Sequence, residues 1–169
     1  MSATPARQEE LRKINELIKG IRFAMLTSVD PDGTLHSRPM TTQQAEFDGD
    51  LWFFTGQSTD LVAQVGRNPR VNVAYADADK NRYVSLAGTG RVVRDRQKMA
   101  ELWNPAFKAW FPDGLDDPDL VLLRVTAIGP ESWDAPNGKV VQALGFAKAL
   151  LTGQRYEGGE NEAVALGPR

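Results

Sequence analysis

The 169-residue sequence contains no cysteine. That absence excludes disulfide frameworks, thiolate metal sites, cysteine nucleophiles and iron–sulfur clusters together. Histidine occurs once, at His36, which argues against a histidine-rich zinc centre or a Ser-His-Asp triad. No stretch approaches the ~18 consecutive apolar residues of a membrane span. The polar, mixed-charge start from Met1 to Glu10 does not read as a signal peptide. Twenty Lys+Arg against 22 Asp+Glu leave a net charge of −2, so no global basic field attracts nucleic acid. These absences predict a cytoplasmic domain with neither membrane nor nucleic-acid partner, without metal or catalytic side chain, and with any chemistry borrowed from a bound cofactor.

What is present has the composition of a globular chain, 41% hydrophobic and 25% charged, in a length suited to one domain of 1–154 and a flexible tail of 155–169. Leu11, Ile14, Leu17, Ile18 and Ile21 recur at helical spacing behind Thr4-Pro5, and Gly20 is a stop signal. A one-sided apolar stripe places this helix on the outside of something else. Strand signals then dominate. Phe23 to Val29 runs into Asp30-Pro31-Asp32-Gly33, a turn with preset proline φ and a glycine that accepts φ > 0. Thr34 to Gln43 returns, and Pro39 within it marks a sheet edge or a bulge. Asp48-Gly49 turns the chain into Leu51 to Thr55. Ser58 to Arg67 is helical, and Val71, Val73 and Tyr75 alternate as a half-buried strand. Val84, Leu86, Gly88, Gly90 and Val92 share a strand face whose glycines suggest a bend or a close backbone approach.

Asp95 caps a second helical region bearing Met99, Leu102 and Trp103, followed by the aromatic stretch Phe107, Trp110 and Phe111. The acidic segment Asp113 to Asp119 reads as a loop. Leu120 to Ile128 is a strand that Pro130 interrupts, Glu131 to Asp134 resumes it, and Val140 to Leu151 reads as a last helix ended by Gly153. From Arg155 onward the Gly- and Glu-rich chain has little to bury. Hairpin-linked strands with short helices outside predict a mainly β fold with α additions, a closed antiparallel barrel. A doubly wound sheet is disfavoured, because no room remains for crossover helices.

Two apparent motifs fail on spacing, and a lone histidine lacks a partner. Gly88-Thr89-Gly90 lacks the third glycine and the helix of a dinucleotide fingerprint. Asp77, Asp79 and Asn81 lack the glycine and the final glutamate of a calcium loop. His36 has no carboxylate partner that the sequence can name, so it reads as a solvated strand residue.

Two clusters are more informative. Arg38, in Ser37-Arg38-Pro39-Met40-Thr41-Thr42, carries the planar fork suited to phosphate. Thr55-Gly56-Gln57-Ser58-Thr59 supplies hydroxyl donors leading straight into a helix start, where free N–H groups and the dipole favour anions. Ser58 or Thr59 serves equally well as a simple helix cap. Trp133 reads as core or interface packing, with a cofactor-covering role as the alternative.

In order, Phe23-Ala24-Met25-Leu26-Thr27, Ser37-Arg38-Pro39-Met40, Leu51 to Thr55, Asn68-Pro69-Arg70-Val71, the strand Val84 to Val93 and Glu131-Ser132-Trp133-Asp134 resemble the general stress protein branch of the pyridoxamine 5′-phosphate oxidase-like, FMN-binding split-barrel family. The likeness spans Leu11 to Gly153. It implies an antiparallel split β-barrel and a homodimer with FMN (or FAD) at its interface. On that resemblance Arg38 binds the cofactor phosphate, Met40 and Thr41 face the isoalloxazine ring with their backbone, and Pro39 belongs to the same cofactor-binding set. Phe54 and Thr55 match the aromatic–hydroxyl pair next to the flavin, Ser58 and Thr59 the phosphate segment, and Trp133 an aromatic given by the second protomer. The implied activity is a flavin-dependent oxidoreductase acting on a small molecule in the dimer cleft. The alternatives are a non-catalytic flavin-binding stress protein and a barrel that has lost its cofactor. Asp60 stands where the family commonly has lysine, and Gln43 replaces a basic residue of the true oxidases. No histidine follows His36, so their pyridoxal-phosphate signature is missing, which argues against pyridoxamine phosphate oxidation.

Overall fold

In a computed structural model, residues 5–43, 45–134 and 160–163 are described. Helix α1 (Pro5–Ile18) precedes strands β1 (Phe23–Val29), β2 (Leu35–Thr41) and β3 (Asp50–Gly56). Helix α2 (Asp60–Arg67) leads to β4 (Arg70–Asp77), β5 (Arg82–Val93) and helix α3 (Arg96–Leu102). Two 3₁₀ turns, Pro105–Ala109 and Gly114–Asp116, precede β6 (Leu120–Asp134) and β7 (Glu160–Ala163). The strands form one antiparallel sheet in the order β2-β1-β4-β5-β6-β3, with β7 on β6.

The sheet curls until its edge strands β2 and β3 approach each other, yet no ladder joins them among the described residues. The barrel is therefore split, where hydrophobic patterning alone suggested closure. Pro39 sits on β2, which among the described residues pairs only with β1, and an edge is where a strand tolerates a residue with no N–H.

Alternation along β3 explains the two cores. Leu51 and Phe53 point into the barrel with Leu26, Val73, Leu86 and Leu123, while Ile14 and Leu17 of α1 close its end. Trp52 and Phe54 point the other way, onto Met99, Leu102 and Trp103 around α3. Strand β3 and the first half of β6, Leu120 to Val125, are thus covered on both faces, so they read as near-continuous hydrophobic runs.

The glycines of β5 do what their spacing suggested. A Cβ on Gly88 would lie 2.7 Å from the Thr126 carbonyl oxygen and 2.8 Å from Val125 Cγ1. The register slips there, with Ala87 opposite Gly129 but Gly88 opposite Ala127, leaving Ile128 as the extra residue of a bulge.

Pro130 does not interrupt β6 as expected. The strand runs on to Asp134, because residues 128–130 lie between the stretch paired with β3 and the stretch paired with β7. A missing N–H on that unpaired side removes no ladder bond. The expected tail also differs: Glu160–Ala163 forms β7 against Glu131–Asp134. The expected helix over Val140 to Leu151 lies outside the described residues. Among those residues no helix is long and apolar enough to cross a membrane.

Candidate functional site

The split between β2 and β3 carries a cavity of about 220 Å³. Pro39, Met40 and Thr41 form one wall, and Phe54, Thr55 and Gly56 the other. Phe107, Trp110 and Phe111, from the 3₁₀ turn and the residues after it, cover the opening. Five of the nine residues expected to bind a cofactor therefore converge on one cavity, from two strands that do not pair. Phe54 is held by an edge-on contact with Trp103 (ring centroids 5.5 Å apart) and a tilted one with Phe107 (5.1 Å). Trp110 remains 64% exposed, an unpartnered aromatic face at the lip. A groove of about 760 Å³ continues past Trp103 towards Arg22 and shares Thr41 and Phe107 with the cavity. The cavity of about 400 Å³ beneath α1, reaching Asp50 and Tyr75, contains none of the expected residues.

Arg38 lies on the inner face of β2, opposite Leu26, beneath α2. Its Nη2 donates to Gln64 Oε1 at 2.9 Å, and Ser28 Oγ donates to the same oxygen at 2.7 Å. Gln64 Nε2 donates in turn to Asp30 Oδ1, and Asp30 Oδ2 lies 2.7 Å from His36 Nε2. Arg38 Nη1 is buried with no hydrogen-bond partner among the described residues. His36 thus has a carboxylate partner after all. The Asp30–Gly33 hairpin, with Gly33 at φ 88°, folds Asp30 back over His36, a contact set by the register of the two strands.

The expected phosphate segment is arranged differently. Thr59 caps α2, its Oγ1 accepting from the Val62 N–H at 3.4 Å, so the capping alternative holds for this residue. Ser58 donates its N–H to Asp119 Oδ1 at 2.8 Å and its hydroxyl to Oδ2 at 2.9 Å. Asp60 is exposed in the first turn, and Arg94 donates to Gln57 Oε1 at 2.9 Å.

Trp133 sits opposite Tyr83 of β5 and Asn161 of β7. The cavity borders the other end of β6, where Leu122 pairs with Phe54. At about 3.3 Å per residue the two points are roughly 35 Å apart along the strand. Trp133 is not brought to the cavity of its own chain.

The sequence signalled the aromatic cover as a stretch of large side chains without giving its direction. Gln64, Asp30 and Asp119 had no signal, because each meets its partner only through tertiary folding.

Similarity to known proteins follows this geometry. The family model for "Pyridoxamine 5′-phosphate oxidase like" matches residues 9–157. The chain belongs to the pyridoxamine 5′-phosphate oxidase-like family, in its general stress branch. It is 27% identical over 128 residues to general stress protein 26 of Bacillus subtilis, covering 70% of this chain and 84% of that one. A solved structure from Jannaschia sp. CCS1, of the general stress protein 26 type, superposes with a TM-score of 0.75 at 28% identity, covering 94% and 99% of the two chains. The general stress FMN/FAD binding protein of Xanthomonas citri matches with a TM-score of 0.66 at 33% identity, covering 78% and 92%. The split barrel of this pyridoxamine 5′-phosphate oxidase-like chain thus has solved counterparts over most of its length.

Proposed function

We propose that the chain binds a flavin, FMN foremost, in the cleft between β2 and β3, and does so as a homodimer. The single observation that carries this is the convergence of Pro39, Met40, Thr41, Phe54 and Thr55 on one aromatic-covered cavity. Its chemistry fits the flat apolar part of a flavin: the backbone of an edge strand, an aromatic wall, and Trp110 free to stack. Arg38, next to Pro39 on β2, carries a buried Nη1 with no acceptor among the described residues and is the cation offered for the phosphate. The Ser58 hydroxyl and amide do not fit that role as they stand. The family and the FMN/FAD-binding relative in Xanthomonas citri support the same assignment.

At about 220 Å³ the cavity is smaller than the ~300–1,000 Å³ usual for a cofactor site. A second copy completes it. The outer face of β1, β2 and β4 presents Phe23, Met25, Pro39 and Ala74. Beside them Thr27 pairs with Ser37 at 2.7 Å, and Asn72 donates to Ser85 at 2.8 Å. These four polar side chains can be covered without being stranded. The family resemblance assigns Trp133, which lies far along β6 from its own chain's cavity, to the neighbour's cleft.

When bound, a flavin supplies hydride or electron transfer, and the protein's part is binding, orientation and exclusion of water. No side-chain nucleophile is assigned. The activity that follows is a flavin-dependent oxidoreductase acting in the cytoplasm on a small molecule in the cleft. A barrel that has lost its cofactor is the second reading, favoured by the carboxylates Asp60 and Asp119 around the phosphate segment. The visible spectrum of the purified chain separates the two: a flavin band that a nicotinamide nucleotide bleaches supports the enzyme, and a protein that takes up no flavin supports the lost cofactor.

A further inference from the structure

The two Ser58 donors just before α2 are already occupied from within the chain. Asp119 accepts two parallel hydrogen bonds from Ser58, one from the amide and one from the hydroxyl, as two oxygens of a phosphate would. The Gln57 N–H donates to the Asp119 carbonyl at 2.6 Å, so main chain and side chain clamp the same loop. Asp119 is itself fixed. Its N–H donates to Asp117 Oδ1 at 2.9 Å, and the next residue, Leu120, is buried at the start of β6. Gly56 completes the fit, since a Cβ there would collide with Asp119 Oδ2. Asp60 adds a second negative charge one turn away from Gln64 and hence from the Arg38 network.

We propose that Asp119 is a specificity-determining residue, a built-in anion that holds the Ser58 donors and disfavours flavins whose phosphate approaches α2. The proposal rests on the flavin reading above. It assigns phosphate contact to Arg38 and denies it to Ser58. Like charges repel across a few ångströms by an amount that outweighs a neutral hydrogen bond. Neutralising Asp119 should therefore help a phosphate-bearing flavin and be nearly silent for riboflavin, which has the same ring and no phosphate.

The test is an equilibrium titration of the full chain with FMN and with riboflavin at low salt, for the parent, Asp119→Asn and Ser58→Ala. Asp119→Asn is expected to tighten FMN by about tenfold or more while riboflavin changes by less than about twofold. Ser58→Ala, a mild change that keeps the charge, is expected to leave FMN within about twofold. If Ser58→Ala weakens FMN beyond that, Ser58 holds the phosphate and the proposal is overturned. An Asp119→Asn protein whose FMN-to-riboflavin ratio equals the parent's overturns it as well, while leaving the flavin reading intact. Failure of all three proteins to take up either flavin removes both.

Discussion

Arg38 Nη2 donates to Gln64 Oε1 at 2.9 Å, which ties the inner face of β2 to the buried face of α2. Gln64 also joins Ser28 and Asp30, so one amide aims the guanidinium, and Nη1 has no partner among the described residues. Replacing Arg38 by alanine is expected to remove a charge-assisted contact to phosphate, for which roughly 1.5–3 kcal/mol is typical. FMN affinity then falls about tenfold or more, and riboflavin affinity much less. Calorimetric titration of Arg38→Ala with both ligands checks it; equal losses for the two would mean that Arg38 does not touch the phosphate.

Tyr75 is 3% exposed, and burial pushes its phenol well above the ordinary value of 10. The neutral form is favoured in the fold, so the unfolded chain ionises first as pH rises. Stability from this group is complete below pH 10 and declines above it by about 1.4 kcal/mol per pH unit until the folded phenol ionises. Urea denaturation at mildly and strongly alkaline pH should show a steeper loss for the parent than for Tyr75→Phe. Parallel losses would show that Tyr75 ionises no later in the fold than in the unfolded chain.

Most of the fold was legible because its signals are local. The Asp30–Gly33 turn, the Thr59 and Asp95 caps and the alternation of β4 each depend on neighbours a few residues apart. The cavity walls were legible through resemblance, which carried Pro39, Met40, Thr41, Phe54 and Thr55 to one place. Non-local partnerships were not legible. Asp119 meets Ser58 across 61 positions, and nothing within the acidic segment marks one carboxylate as inward. His36 and Asp30 face each other only because Ser28 pairs with His36, a register no pattern prints. Pro130 misled for a related reason: a proline is harmless where the strand has one neighbour, and neighbours are a property of the sheet.

Two glycines should respond in opposite directions. Gly88→Ala puts a methyl 2.7 Å from the Thr126 carbonyl oxygen beside the β5–β6 bulge, and overpacking of this kind typically costs about 1–3 kcal/mol. Gly66 lies inside α2 with nothing within 4 Å of an added Cβ, and Gly66→Ala should stabilise by roughly 0.5–1 kcal/mol. Chemical denaturation of both variants checks the pair; a stabilised Gly88→Ala would mean that the sheet relaxes freely at the bulge.

Met25 is 43% exposed on the outer sheet face, between Pro39 and Ala74. A charge there is tolerated by a single protomer and buried by two. Met25→Glu is expected to sediment as a monomer with little change in its denaturation midpoint, whereas the parent sediments as a dimer. A parent that is monomeric at micromolar concentration would remove this face as the interface.

The most direct measurement of the central claim is the visible spectrum of the purified full chain after incubation with excess FMN and desalting. Retained flavin absorbance, shifted from that of the free ligand and lost when Thr41 and Thr55 in the cleft are replaced by bulky residues, is the predicted result. A colourless protein, with FMN eluting unbound and its fluorescence unchanged by the protein, would contradict it.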